Sequence, residues 1–369
     1  MSDSKASTPA KQAPKDKPLI LSSSPHTASP VDSRKLMVRV LIALAPVSIF
    51  GVVLYGVPTL LTILVSIAAA ELAEALFRKI TRQDIRYKDC SAAVTGLLLA
   101  LILPPGTPLW MTALGAIFAI VVAKEFFGGL GTNVFNPALI GRAFLLMSFP
   151  VAITTWANPI REFFPPSFLP VSGAIDVLSG ATPLQIIKMG GTIGDVGAGF
   201  AAAGLTWGAD YWSTIGTLFL GSHAGCIGES SIILILIGAI FLLVTKTIDW
   251  RAPVSMIASV FIFSFIFGRD PLFAVLAGGV LFGAVFMATD YVTAPLTAVG
   301  KLIFGFGAGL IIVLIRHWGN YPEGVTYGIL IMNAVTPFLN RLLQKKYGYV
   351  KPKKAAKKAA KKAAKGRAK

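Results

Sequence analysis

The run D-V-L-S-G-A-T-P-L, from Asp176 to Leu184, is the sharpest place for chemistry in this chain. Ser179-Gly180 makes a bend. Thr182 before Pro183 is an ordinary helix start, with threonine as N-cap and proline at the first helical position. The same geometry has a chemical use. A helix start presents free N–H groups that hold a phosphate, and a threonine hydroxyl placed there can be esterified by one. On the residues alone, a plain turn and a phosphoester site both remain open.

A second set of candidates is ionic. Glu71, Glu74, Lys124, Glu125, Glu229 and Asp290 stand in or beside apolar runs, where a charge is costly and marks function by default. Glu71 and Glu74 share one helix face and either act as a pair or mark the polar end of that helix. Lys124 and Glu125 are either functional or interfacial anchors. Glu229 opens an apolar run, where a helix N-terminus favours it. Asp290 is the one carboxylate in the two broken segments Asn136–Arg142 and Asp290–Lys301, which makes it the candidate for an ion path. The competing reading pairs it with Lys301 or with a partner's cation.

Metal chemistry has little to stand on. Cys90 and Cys226 are the two cysteines, there is no CxxC, and the histidines are His26, His223 and His317. No spacing suits zinc or an iron–sulfur centre, so no metal site is expected. His223 reads as a structural histidine and His317 as a solvated turn residue.

These groups must be held by elements that live in lipid. Of 369 residues, 54% are hydrophobic and 14% charged, against roughly 25% charged in a soluble domain. Mean hydropathy is +0.71. About ten apolar spans follow: 36–55, 57–77, 90–104, 107–127, 136–155, 226–247, 252–268, 271–288, 300–316 and 325–343. The net charge of +17 is not a nucleic-acid footprint, because the tail from Gln344 carries 12 basic and no acidic residues. The core at 36–343 is close to neutral.

The expected organisation is a disordered cytoplasmic arm (1–35), a first membrane half (36–155), a mostly external segment (156–225), a second membrane half (226–343) and a basic Lys-Ala cytoplasmic tail (344–369). The basic 78–88 loop, Lys246 and Arg251 fall on the side of both termini. Trp110, Trp207, Trp212, Trp250 and Trp318 near span ends suit interfacial anchors. A faint repeat aligns the helix opened by Pro108-Leu109-Trp110, leading to Asn136–Arg142, with that opened by Pro271-Leu272-Phe273, leading to Ala294–Lys301. It points to two pseudo-repeated halves with broken helices.

The motifs also carry a resemblance. D-x-x-S-G-A-T at Asp176–Thr182 resembles the flavinylation signature of the membrane subunits of the Rnf complexes and of the Na⁺-pumping NADH:quinone reductase. S-S-P-H-T at Ser23–Thr27, K-D-C-S-A-A-V-T-G at Lys88–Gly96, I-L-P-P at Ile102–Pro105 and G-G-L-G-T-N-V-F-N-P-A at Gly128–Ala138 follow in the family's order. They favour the Rnf branch, its D-type subunit. The resemblance spans roughly 20–343; the Lys-Ala tail is outside the pattern.

That resemblance implies an all-α membrane fold similar to the urea channels. It implies FMN joined through its phosphate to Thr182, with Asp176, Ser179, Gly180 and Ala181 completing the motif, and a second, non-covalent flavin (riboflavin) in the membrane. The implied function is a flavin-carrying electron carrier in a complex that couples electron transfer between ferredoxin and NAD to Na⁺ or H⁺ translocation. No nucleotide fingerprint or cluster-binding cysteines occur in this chain. The implied partners are therefore iron–sulfur subunits, a flavin-bearing G subunit and a flavin transferase, beside membrane lipid and without nucleic acid. The implied place is the cytoplasmic (inner) membrane, multi-pass, with the flavin loop external. The alternative is a small-solute channel of the same fold; a channel is colourless, whereas a flavinylated chain stays yellow after denaturation.

Overall fold

Gly56 has φ 77°, a left-handed conformation that glycine adopts without strain, and it separates α1 (Ser33–Tyr55) from α2 (Val57–Ile80). The structure is a computed structural model in which residues 32–84, 89–156, 181–202, 210–221, 223–319, 321 and 323–343 are described. Among these residues every regular element is helical. The first group continues with α3 (Ser91–Leu101), α4 (Leu109–Val121) and α5 (Pro137–Ser148), followed by the short α6 (Pro150–Thr154). Asn136 caps α5, its side-chain oxygen accepting from the N–H groups of Ala138 and Leu139, with Pro137 at the first position.

Three short helices follow: α7 (Pro183–Lys188), α8 (Ile193–Ala202) and α9 (Tyr211–Leu220). They do not form a loose loop. Val196, Phe200, Ile215 and Leu218 build a small core with Phe273 and Ala277 of the second half. That half comprises α10 (Ile232–Val244), α11 (Arg251–Ile266), α12 (Pro271–Leu276), α13 (Val280–Phe282) with a π-turn at Gly283–Met287, α14 (Ala298–Trp318) and α15 (Val325–Leu343). Asp270 caps α12, accepting from the Phe273 N–H at 2.7 Å, and Thr297 caps α14.

Four helices are long and apolar enough to cross a bilayer by length and composition: α1, α2, Leu109–Phe127 and α14. The apolar helices α3, α5, α10 and α11 are shorter. Trp110, Trp212, Trp250 and Trp318 are exposed; Trp207 lies outside the described residues.

Packing follows one order twice. α2 lies against α3 and α4, and α4 against α5; α11 lies against α12 and α14, and α14 against α15, while α1 meets α10. This changes the register of the repeat. The helix opened by Pro108 corresponds to α14, not to the one opened by Pro271. Gly96, Pro108-Leu109 and Gly141 recur at the same intervals as Gly283, Pro295-Leu296 and Gly328. The sequence match was misled because α12 starts with its own Pro-Leu pair but belongs to the broken helix that corresponds to α3.

Two close approaches hold the core. A Cβ at Gly305 would fall 2.4 Å from the Ala252 carbonyl oxygen, and one at Gly309 2.6 Å from that of Met256. Only glycine lets α14 and α11 pack so closely, the small-xxx-small device of membrane helices. Elsewhere, the interrupted end of α3 is stitched to the turn Ile227–Glu229 ahead of α10. The Ile227 N–H donates to the Leu103 carbonyl at 3.2 Å, and the Cys226 thiol to that of Ile102 at 3.1 Å. Carbonyls freed at a helix end inside lipid need such partners.

Candidate functional site

Thr182 is the N-cap of α7, with β-region φ and ψ, and its hydroxyl accepts from the Gln185 N–H at 3.2 Å. Ala181 before it is exposed, whereas Thr182 is buried. Asp176, Ser179 and Gly180 lie outside the described residues. The expected helix start at Thr182-Pro183 is therefore present.

α7 is anchored over the second half. Lys188 donates to the Gly319 carbonyl in the turn between α14 and α15, and Arg269 to the Ile187 carbonyl. Gln185 and Lys188 form one wall of an open cleft of about 430 Å³. Trp156, Tyr321 and Tyr327 supply aromatic surface, and Arg142 and Glu323 its charged floor. Trp156 is buried, unlike the interfacial tryptophans.

Below this cleft the broken segments bring buried charges together. Arg142 of α5 forms an ion pair with Glu323 at the head of α15. Arg316 donates to the carbonyls of Ala274 at 2.5 Å, Ala277 at 3.1 Å and Glu323 at 3.0 Å. A cation at the end of α12 satisfies carbonyls that its interruption leaves open. Glu229 lies in the same cluster, against Gly279, and the donor atoms of Cys226, Glu229 and Glu323 are all within 4.8 Å of one another. Sequence spacing concealed this trio because Glu323 comes almost a hundred residues later. Arg142 already holds Glu323 and the thiol holds Ile102, so the arrangement reads as a charge cluster. His223 is buried near it, its backbone carbonyl accepting from the Tyr55 hydroxyl at 3.0 Å.

A separate ionic network joins α2 to the end of α4. Lys124 Nζ lies 2.7 Å from Glu74 Oε2 and 2.6 Å from Ser91 Oγ. Arg78 bridges Glu74 at 3.4 Å and Glu125 at 3.2 Å. Two acids and two bases are thus buried as a compensated set, which a lipid interior tolerates. Glu71, half-buried on α2 near this network, does not join it by any described ion pair.

Asp290 follows the π-turn and accepts from the Thr293 hydroxyl at 3.1 Å. Its expected competitor for pairing, Lys301, is engaged elsewhere: Lys301 lies 3.1 Å from Asp249, which also holds Arg251 at 2.7 Å. Asp290 lines a small cavity of about 70 Å³. Lys124, Ser91, Asn133 and Asn136 give that cavity a polar side, and Leu98 and Phe286 an apolar one.

The model of the NQR2, RnfD, RnfE family matches residues 20–348. The chain is 43% identical over 342 residues to a Clostridium ljungdahlii protein described as the D component of a proton-translocating ferredoxin:NAD(+) oxidoreductase complex, covering 89% of this chain and 96% of that one. It is 38% identical over 341 residues to the Na(+)-translocating counterpart of Acetobacterium woodii, covering 92% and 98%. The D component of an ion-translocating oxidoreductase complex of Stutzerimonas stutzeri is 38% identical over 334 residues, with 85% and 92% covered.

Proposed function

The chain belongs to the NQR2, RnfD, RnfE family, and we propose that it is the D-type membrane subunit of a ferredoxin:NAD⁺ oxidoreductase complex that translocates Na⁺ or H⁺. The relatives bearing that description match nearly their whole length. The chain works as one part of that translocase. It sits in the cytoplasmic membrane with about ten crossings in two pseudo-repeated halves, both termini inside and the Thr182 segment outside.

Within that complex the chain carries FMN, joined by its phosphate to Thr182 Oγ. The observation that supports this is the position of Thr182: a capping hydroxyl at the head of α7, one turn from a cleft with aromatic and cationic walls. A phosphate esterified there keeps acceptor oxygens toward the N–H groups of the first turn. Bound flavin supplies the one-electron chemistry. Tyr321, Tyr327 and Trp156 offer faces for its ring, and Arg142 and Lys188 offer positive charge for a reduced one. The second, non-covalent flavin is assigned to the cavity lined by Asn133, Asn136 and Lys124, whose volume of about 70 Å³ must open to admit its ring, with Asp290 at its edge on the ion path. Iron–sulfur subunits and a second flavin-bearing subunit supply the remaining carriers.

Intact-mass measurement of the purified chain tests this reading. An added FMN mass that survives acid and detergent supports it. An unmodified, colourless chain from an active complex refutes the flavin assignment.

A further inference from the structure

Asn333 stands in the middle of α15 at 0% exposure, and neither Nδ2 nor Oδ1 has a hydrogen-bond partner among the described residues. The other described asparagines are engaged. Asn133 donates to the Phe135 carbonyl, Asn136 caps α5, and Asn340 accepts from the Leu296 N–H at 3.0 Å. A buried amide with both ends unpaired is rare and calls for an explanation. This chain's own residues enclose the side chain, so a neighbouring subunit cannot supply the missing bonds. The chemistry of the need is specific. A water molecule donates to Oδ1 and accepts from Nδ2, whereas a cation satisfies the oxygen alone.

The place of Asn333 is equally specific. Thr326, Asn333 and Asn340 are seven residues apart and form one stripe along α15. At one end Thr326 lines the cleft beside α7, with Glu323 at the helix head. At the other end Asn340 binds Leu296, which lines a cavity together with Asp290 and Lys301. α15 packs on the π-turn Gly283–Met287 and on α5. A Cβ at Gly283 would fall 2.6 Å from Val325 and 3.3 Å from Ile329, and Asn333 follows one turn after Ile329. π-turns inside helices recur at functional sites.

We propose that Asn333 holds internal water midway along a wetted stripe of α15 that joins the cleft near Thr182 to the cavity at Asp290, and that this stripe is the route of the translocated ion. The route rests on the translocation reading above; the water site does not.

Two measurements on the assembled complex test it. A cryo-EM map that resolves water should show density bridging Oδ1 and Nδ2 of Asn333. In reconstituted vesicles, Asn333→Leu should lower Na⁺ or H⁺ uptake per electron at least fivefold with flavin content unchanged, while Asn333→Ser, which still binds water, keeps at least half. If the leucine variant does not assemble, Asn333→Val carries the same expectation. A dry Asn333 in the map, or unchanged uptake per electron in the apolar variant, overturns the proposal. Wild-type vesicles that pass electrons without ion uptake would instead sink the translocation reading, and the map would still decide the water site.

Discussion

The Arg142 guanidinium and the Glu323 carboxylate form an ion pair across 181 residues of chain. They tie α5 to the head of α15, the last helix of each packing group, and floor the cleft beside α7. The Arg142 side chain is buried, whereas that of Glu323 is partly exposed to the cleft.

That pair sets the first prediction. Glu323→Gln leaves buried Arg142 without its ion-pair partner and with only the neighbouring Glu229 to compensate it, which should cost up to about 3–5 kcal/mol and reduce assembled complex in membranes. Combining it with Arg142→Met should recover assembly, measured by detergent-resistant complex yield. A single variant as stable as wild type would show that the pair contributes nothing.

Thr182 separates chemistry from folding. Thr182→Ala should abolish acid-stable flavin fluorescence of the band on a denaturing gel. The lost cap costs about 1 kcal/mol, too little to prevent insertion. Persistent fluorescence would move the attachment site elsewhere.

Asp290 is free of Lys301, so its role can be tested without disturbing that pair. Asp290→Asn should weaken ion uptake per electron more than flavin content. Lys301→Met should lower uptake per electron less than Asp290→Asn does, because its partner is Asp249. Equal uptake in the aspartate variant and wild type would remove Asp290 from the ion path.

The network around Lys124 should behave as a compensated unit. Lys124→Met leaves Glu74 and Glu125 to share Arg78 alone, one buried negative charge in excess, and should lower assembly by an amount equivalent to up to about 3–5 kcal/mol; adding Glu74→Gln should restore part of it. Additive losses in the double variant would argue that the two residues act separately, as a thermal-stability series would reveal.

Truncation after Tyr349 removes most of the excess positive charge but none of the family motifs. The shortened chain should keep its flavin content and its place in the complex. Loss of assembly on native gels would show that the Lys-Ala tail docks a partner.

Local signals in the sequence were readable; distant ones were not. Thr182-Pro183, Asn136-Pro137 and Asp270-Pro271 announce helix starts because a cap and a proline act within one turn. The ten apolar runs each contain helix, and among the described residues four helices are both long and apolar enough to cross a bilayer. Glu323 escaped notice because Tyr-Pro-Glu-Gly reads as a surface turn, and only tertiary packing brings it to Arg142. The signal that would have found it is its position, equivalent to that of Asn136 in the corrected repeat. Asn333 was hidden in I-L-I-M-N-A-V, where one polar residue in an apolar run was itself the clue. The pairing of Lys301 with Asp249 rather than Asp290 depends on how the α10–α11 turn folds back, which no spacing rule reports.

α5 has one further consequence. Asn136 at its start lines the cavity of Asp290 and Lys124, and Arg142 farther along floors the cleft of α7. At about 1.5 Å of rise per residue, the two positions are about 9 Å apart along one helix axis. A helix is a stiff strut, and tunnelling between redox centres falls off steeply with separation. For carriers seated in both places, the gap is therefore set by covalent geometry rather than by the softer contacts between helices. With the ion route and carriers placed as proposed, breathing of the membrane domain would change what the ion meets along α15 more than it changes the electron's distance.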